Sequence, residues 1–197
     1  MKRNFILAIA IFIAGLGLGY SQGDMTQSEK PWRLELEPSS FLFKGFGLHI
    51  GRALTKDNKF SLAFYAAATN IPTGMQQRIF SNINDNDMTR VGLQLSLNAR
   101  YKIEILKGRE TNPYIGLVTG WEYFNLTNPA KSDLRVNVIL LTPYVGGEIY
   151  LYKNILYLNP QLRSVTYINP QYSIENREET LKKVFLLPQV SVGFRFW

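Results

Sequence analysis

Cysteine is absent from the 197-residue sequence, and histidine occurs once, at position 49. The chain therefore forms no disulfide and offers no thiol nucleophile, and a single imidazole cannot supply a multi-histidine zinc site. We expect no metal and no other cofactor. Long apolar runs are also scarce, because only residues 5–18 form one. A bundle of transmembrane helices is excluded, since each of its helices needs about 20 apolar residues.

The apolar run at the N-terminus has the features of a secretory signal. Lys2 and Arg3 precede it, and the small residues Gly19 and Ser21 follow it. This order of charged, apolar and small residues predicts a signal peptide over residues 1–21 and one mature domain over residues 22–197, the alternative being an anchored N-terminal helix. Loss of the two basic residues lowers the formal charge from +7 to +5. A modest positive charge favours contact with anionic lipid head groups, whereas nucleic-acid binding is not expected, because no basic cluster is interleaved with aromatic residues.

The mature chain alternates apolar and polar residues with the period of a β-strand. The longest example is residues 90–103, in which seven apolar residues alternate with seven others. Further strands are predicted over residues 60–67, 114–123, 136–152, 155–167 and 184–197, and a first hairpin over residues 33–43 and 46–54, interrupted by Pro38. Short connections (residues 55–59, 104–111 and 153–154) alternate with long ones (residues 70–87, 125–135 and 169–182). This pattern predicts an all-β fold, an eight-stranded antiparallel up-and-down transmembrane β-barrel.

The two faces of these strands differ in composition, and their orientation decides the class of barrel. In a soluble lipocalin-like barrel the apolar face points inward. Here the other face carries glycines, the only histidine and several charged residues, a composition that suits a crowded lumen. The histidine and the charged residues are His49, Arg100, Glu122, Glu148, Arg163 and Arg195. We therefore predict that the apolar face meets lipid and that these six residues form a structural lumen network. The competing interpretation of the same residues is a proton or ion path.

The last strand carries a further pattern. Val192, Phe194 and Phe196 alternate on the apolar face, and Trp197 is one residue extra. This aromatic end resembles the assembly signal of bacterial outer-membrane proteins, and the mature chain resembles the small eight-stranded barrels of the outer-membrane-protein-A and -X-like class of Gram-negative bacteria. The resemblance implies location in the outer membrane, contact with its lipid and lipopolysaccharide, and insertion by the barrel-assembly machinery. It implies no residue-specific activity.

Three functions fit such a barrel. We predict a non-enzymatic protein with a structural, adhesion or envelope-interaction role through its long outer loops. A lipid-A-modifying enzyme would have to use His49 with Ser39 or Ser40 and with Glu35 or Glu37, but the alternation places His49 in the lumen, away from acyl chains. A narrow carrier of small apolar molecules would need a lateral opening in the wall, and the sequence gives no sign of one.

Overall fold

Eight antiparallel strands close into one barrel in the computed structural model, which describes residues 32–83, 87–103, 111–128, 131–153, 155–173 and 181–196. Each strand pairs with its neighbours in the sequence, and the last pairs back onto the first, so the predicted eight-stranded up-and-down fold is confirmed. The strands are β1 (Trp32–Leu36), β2 (Phe46–Ala53), β3 (Phe60–Ile71), β4 (Met88–Lys102), β5 (Thr111–Asn128), β6 (Lys131–Tyr152), β7 (Leu156–Ser173) and β8 (Val184–Phe196). Helix α1 (Pro38–Leu42) lies between β1 and β2, and helix α2 (Thr73–Ile79) between β3 and β4. The predicted signal peptide and Trp197 lie outside the described residues.

The two ends of the barrel differ. The start of β1, the end of β8 and the short β2–β3 and β6–β7 turns lie at one end, here called the terminal rim. In the β2–β3 turn the Leu54 amide donates to the Phe60 carbonyl at 2.8 Å. Hydrogen bonds from the Thr55 side chain and the Lys59 amide lower the pKa of Asp57 in the same turn. The opposite end, called the loop rim, carries both helices.

The first strand differs from its predicted span. It was expected over residues 33–43 but ends at Leu36, and Pro38 begins α1. Proline lacks the amide donor that a paired strand needs, but it fits the first turn of a helix, where that donor has no partner. Between Leu36 and the loop rim, the wall of the barrel therefore has no strand at the position of β1.

All three predicted long loops are also partly structured, and in the one predicted over residues 169–182 strand β7 continues to Ser173. Within the connection predicted over residues 70–87, α2 buries Gln76 and Ile79. The connection predicted over residues 125–135 is mostly strand, because β5 continues to Asn128 and β6 begins at Lys131. Polar strand ends that rise beyond an apolar belt look like loop residues in a sequence, which explains the difference.

The outer surface of the barrel wall is apolar. Many large apolar side chains point outward and are a third to a half exposed or more, among them Ile50 at 44%, Leu97 at 51% and Val145 at 54%. Aromatic side chains gather near the terminal rim, where Phe60 pairs with Tyr101 and Trp32 stacks on Phe196 with ring centroids 6.5 Å apart. Neither of the two described helices is long and apolar enough to cross a bilayer.

The interior divides into two halves. The half near the terminal rim is filled with buried polar and charged side chains: Arg33, Glu35, Ser61, Asn98, Arg100, Glu148, Asn159, Ser191 and Arg195. The half near the loop rim is mainly apolar and includes Val91, Val118, Phe124, Leu126, Leu134, Val136, Val138, Leu140, Val165 and Tyr167. Polar contacts and apolar packing are thus stacked along the barrel axis.

Cross-strand pairs of glycine and tyrosine make room for the polar half. Each of three tyrosine rings lies directly against the glycine opposite it, in the pairs Gly116–Tyr144, Gly146–Tyr114 and Gly193–Tyr157. A Cβ atom on any of these glycines would lie 2.1 to 2.6 Å from the nearest ring atom. The glycines therefore allow bulky, hydrogen-bonding side chains to cross the lumen, as their alternation in the sequence suggested.

Candidate functional site

Glu35 is the centre of the polar half. Its carboxylate is fully buried and accepts two hydrogen bonds from Arg100, at 2.8 and 3.2 Å, and one from the Tyr157 hydroxyl at 2.9 Å. Asn159 donates at 2.8 Å and Ser191 at 3.3 Å. These partners come from β4, β7 and β8, so one side chain of the short β1 ties together strands around the barrel.

Glu148 is a second buried carboxylate and shares Arg100 with Glu35. Arg100 Nη1 lies 3.2 Å from Glu148 Oε1, and Arg195 Nη2 lies 2.6 Å from Glu148 Oε2. Lys102 Nζ lies 3.1 Å from the same oxygen as Arg195. Charge-assisted hydrogen bonds of this kind are among the stronger ones in proteins, and their mutual pairing offsets the cost of burial. This network closes the terminal half of the lumen with side chains.

A third cluster surrounds Glu37, where β1 gives way to α1. His49 Nε2 lies 3.0 Å from Glu37 Oε1, and the Tyr65 hydroxyl donates to Glu37 Oε2 at 2.8 Å. Ser40 Oγ donates to the same oxygen at 3.4 Å, and Arg163 Nη2 lies 3.8 Å from Glu37 Oε1. The imidazole of His49 also stacks on the Tyr65 ring, with centroids 4.1 Å apart.

The Glu37 cluster contains the residue types of a serine hydrolase but not their geometry. A hydrolase needs histidine between serine and carboxylate, so that the imidazole can take the hydroxyl proton. Here the carboxylate lies between the other two, and within the part of the chain that the structure describes no hydrogen bond joins His49 to a serine. The histidine is only 1% exposed and faces the lumen.

The six predicted lumen residues are all buried, and the structure divides them among three places. Arg100, Glu148 and Arg195 meet in the polar half, and His49 and Arg163 meet at Glu37. Glu122 lies apart from both groups, in the apolar half. The prediction did not include Glu35 and Glu37 in this network. Their alternation with Leu34 and Leu36 was the available sign, since it placed both carboxylates on the inner face.

The apolar half contains a cavity of about 200 Å³, called the chamber below. Its walls include Val91, Val118, Phe124, Leu140, Val165 and Tyr167, and helix α2 contributes Met75 and Ile79. Its polar lining includes Glu37, Tyr65 and Arg163 of the Glu37 cluster. Phe80, next to α2, packs edge-on against Phe124 with centroids 5.4 Å apart, which fixes this segment over the barrel interior. The chamber is thus a mainly apolar space whose lining includes the charged Glu37 cluster.

Glu122 is the carboxylate in the wall of the chamber. It is 6% exposed, and its hydrogen-bond partner is the hydroxyl of Tyr167. Among the described residues no arginine, lysine or histidine lies within ion-pair distance of it. A buried carboxylate without a counter-ion has a high free-energy cost, because it loses its hydration and gains no ion pair. This absence distinguishes Glu122 from Glu35, Glu37 and Glu148.

The wall beside the chamber has a seam between β8 and the two helices. Strand β1 pairs with β8 only from Trp32–Phe196 to Leu36–Val192, so residues 184–191 of β8 have no partner in β1. Helix α1 contacts β8 at this place. A surface cleft of about 80 Å³ lies between α2 and β8, and five residues line both the cleft and the chamber: Met75, Ile79, Phe185, Leu187 and Pro188. A single layer of side chains therefore separates the chamber from the outside of the barrel.

Comparison with solved structures gives a likeness of fold, and comparison with families and curated proteins gives none. No protein-family model and no curated protein matches the chain, so the resemblance to outer-membrane-protein-A and -X-like barrels stays a prediction. The crystal structure of a major outer membrane protein from Thermus thermophilus aligns with 84% of this chain and 99% of that chain, at 15% sequence identity and a TM-score of 0.49. This likeness gives no information about a ligand or an activity.

Proposed function

We propose that this protein is a bacterial outer-membrane barrel that binds a small, mainly apolar molecule in the chamber and exchanges it with the bilayer through the seam. One observation carries the proposal. The apolar half of the lumen contains a cavity of about 200 Å³, whereas the polar half is closed by a charged network. Small-molecule sites are typically concave and apolar, with a few placed polar groups.

Membrane location is supported by the arrangement of the side chains. Charged residues such as Glu35 and Arg100 are buried, whereas Leu97 and Val145 are about half exposed on the outer wall. In water this arrangement would be unfavourable, because exposed apolar area costs roughly 25 cal/mol per Å². Lipid removes that cost, and at the level of β1 the eight strands pair in a closed ring. We place the terminal rim at the periplasmic side, because its described turns are short.

Cell fractionation tests the location. The protein should be recovered with outer membranes and, as a folded barrel, should migrate differently on a denaturing gel before and after boiling. A protein that is monodisperse without detergent would contradict the proposal.

The size of the chamber limits the ligand. An apolar cavity of about 150 Å³ is large enough to bind benzene. The chamber, at about 200 Å³, therefore accommodates one aromatic ring with a short substituent, or a short alkyl chain. A whole lipid is too large, and this favours a carrier of small molecules over an enzyme that acts on lipid A.

A non-enzymatic role also agrees with the geometry around His49. The only imidazole is bonded to Glu37 and stacked on Tyr65, and neither contact activates a nucleophile. The adhesion role predicted for the long loops is supported less well, because α2 folds against the chamber and buries Ile79 there. We therefore favour ligand binding over adhesion.

Fluorine NMR with 2-(4-fluorophenyl)ethanol tests binding in the chamber. The unmutated protein in a non-ionic detergent should bind the probe beyond its partition into empty micelles. Val118→Phe fills the chamber from a side chain that is 1% exposed and should abolish this binding. The matched control is Val145→Phe, which adds the same group on the outer wall and should leave binding unchanged. Equal binding by both variants would contradict a ligand site in the chamber.

Exchange through the seam has its own test, and the absence of cysteine gives a clean background. Met75→Cys and Leu187→Cys place thiols on the two sides of the seam, and a short methanethiosulfonate cross-linker can join them. We expect the cross-link to slow probe exchange about tenfold or more, with recovery after reduction. An exchange rate that is the same in both states would place the access route at the loop rim instead.

A further inference from the structure

One carboxyl group in the lining of the chamber has no basic partner among the described residues. The lining includes the carboxyl groups of Glu37 and Glu122 and the guanidinium of Arg163. Arg163 lies 3.8 Å from Glu37, so these two charges offset each other. Glu122 has no basic partner among the described residues, and its hydrogen-bond partner there is Tyr167. The uncompensated group of the chamber is therefore a carboxyl.

A second acceptor in the chamber also lacks a donor. The side-chain oxygen Oε1 of Gln189 is buried without a hydrogen-bond partner among the described residues, and Gln189 lines the same cavity from β8. Buried acceptors without donors are rare in proteins, because the lost hydration is not replaced. A ligand that brings hydrogen-bond donors would therefore meet an acceptor at Gln189 as well as at Glu122.

Three aromatic rings line the same chamber as these acceptors. Tyr167 contacts Phe124 edge-on, with centroids 5.6 Å apart, and lies 5.7 Å from Phe185, and all three rings line the chamber. Ring faces attract cations, most strongly where water is excluded. A carboxyl, an unpaired carbonyl oxygen and ring faces together form a suitable environment for an ammonium group.

We propose that the chamber selects small primary amines that carry one aromatic ring or a short alkyl chain, with the ammonium group on Glu122 and the apolar part between Val118 and Leu140. This inference rests on the proposed function and adds the chemical class of the ligand. Glu122 is the recognition residue. The ammonium would give this carboxylate the counter-ion that the described part of the protein does not provide.

The competing ligand class is a small organic acid held by Arg163, whose Nη2 atom is buried without a hydrogen-bond partner among the described residues. Two observations disfavour it. Glu37 already offsets the charge of Arg163, and an organic acid would leave Glu122 without a basic partner.

Three probes of matched shape distinguish the classes: 2-(4-fluorophenyl)ethylamine, 2-(4-fluorophenyl)ethanol and 3-(4-fluorophenyl)propanoate. Fluorine NMR of the full chain in a non-ionic detergent at neutral pH measures each dissociation constant against empty micelles. A charge-assisted hydrogen bond is worth about 1.5 to 3 kcal/mol, so we expect the amine to bind about 10- to 100-fold more tightly than the alcohol. We expect the acid to bind most weakly.

Variants at Glu122 test the recognition residue. Glu122→Gln should remove the preference for the amine and leave the alcohol unchanged within about threefold, whereas Glu122→Asp keeps the charge and should keep the preference. Asp57→Asn is the charge-matched control, because it removes a carboxylate in the exposed β2–β3 turn and should leave the preference intact. Heat-modifiable gel mobility shows whether each variant is folded.

The outcomes separate this inference from the proposed function. If amine and alcohol bind equally, or if the Glu122→Gln variant keeps the preference, the amine assignment is wrong and the chamber remains a ligand site. Tighter binding of the acid would also overturn the assignment and would point to Arg163. If no probe binds beyond micelle partition, both the inference and the proposed function fail.

Discussion

Replacement of Glu35 by glutamine should destabilise the barrel more than any comparable change on its surface. Glutamine has nearly the same shape but no charge, and it offers one acceptor oxygen in place of two. The donors that now converge on Glu35 belong to Arg100, Tyr157, Asn159 and Ser191. In the variant at least one of them faces an amide NH₂ group, which is itself a donor.

The magnitude follows from the charges that remain. Without Glu35, the described residues of the polar half leave Arg33, Arg100, Lys102 and Arg195 around one carboxylate, that of Glu148. Breaking a buried ion pair by removing one partner costs about 3 to 5 kcal/mol. The equilibrium constant of unfolding should therefore rise by about two to three and a half orders of magnitude.

Denaturant unfolding in lipid vesicles provides the measurement, with tryptophan fluorescence and gel mobility as independent probes. Asp57→Asn is the control, since this carboxylate pairs with Lys59 at 3.6 Å in an exposed turn and its loss should not change the midpoint measurably. The double variant with Arg100→Met should lose less stability than the sum of the single variants, because it removes both charges of the pair.

A Glu35→Gln variant that unfolds within about 1 kcal/mol of the unmutated protein would refute this account of the polar half. Additive losses in the double variant would mean that Glu35 and Arg100 act independently, in spite of the 2.8 Å contact between them.

Three further predictions concern the wall, the lumen and the histidine. Gly120→Ala should lower the yield of folded barrel in refolding gels, because its Cβ would lie 2.2 Å from the Leu95 carbonyl oxygen and 2.5 Å from the Ser96 Cα. Glu148→Leu should cost about 3 to 5 kcal/mol in unfolding experiments and open no conductance; stable single-channel currents from the unmutated protein in planar bilayers would contradict a closed lumen. Lipid A should be identical in cells with the unmutated protein, with His49→Gln and with no protein, and loss of an acyl chain with the unmutated protein alone would show an enzyme.

The closed barrel could be predicted because its signal is local. Alternation with period two, as in residues 90–103, repeats in nearly every strand, and each short turn fixes an antiparallel neighbour. The prediction of the first strand was wrong from Pro38 onward, because the local pattern there is too short to interpret. A helix of five residues is too short to show its own periodicity, so the sequence between Leu36 and Phe46 looked like an interrupted strand.

The candidate site was less predictable, because alternation gives the face of a residue but not which side chains meet it. Glu122 and Glu148 both face the lumen. Glu148 pairs with three basic side chains in the polar half, whereas Glu122 lies in the apolar half without a basic partner among the described residues. The chamber did leave a trace in the sequence. Residues 138–141 of β6 are apolar on both faces, whereas a strand beside a charged lumen should alternate.

A crystal structure with 2-(4-bromophenyl)ethanol tests the central claim most directly, since anomalous scattering locates bromine without assumptions about the ligand. If the chamber is the ligand site, we expect one ordered bromine in the apolar half, between Val118 and Leu140 and within reach of Phe124. Bromine found only on the outer wall, among detergent and side chains such as Val145, would contradict it.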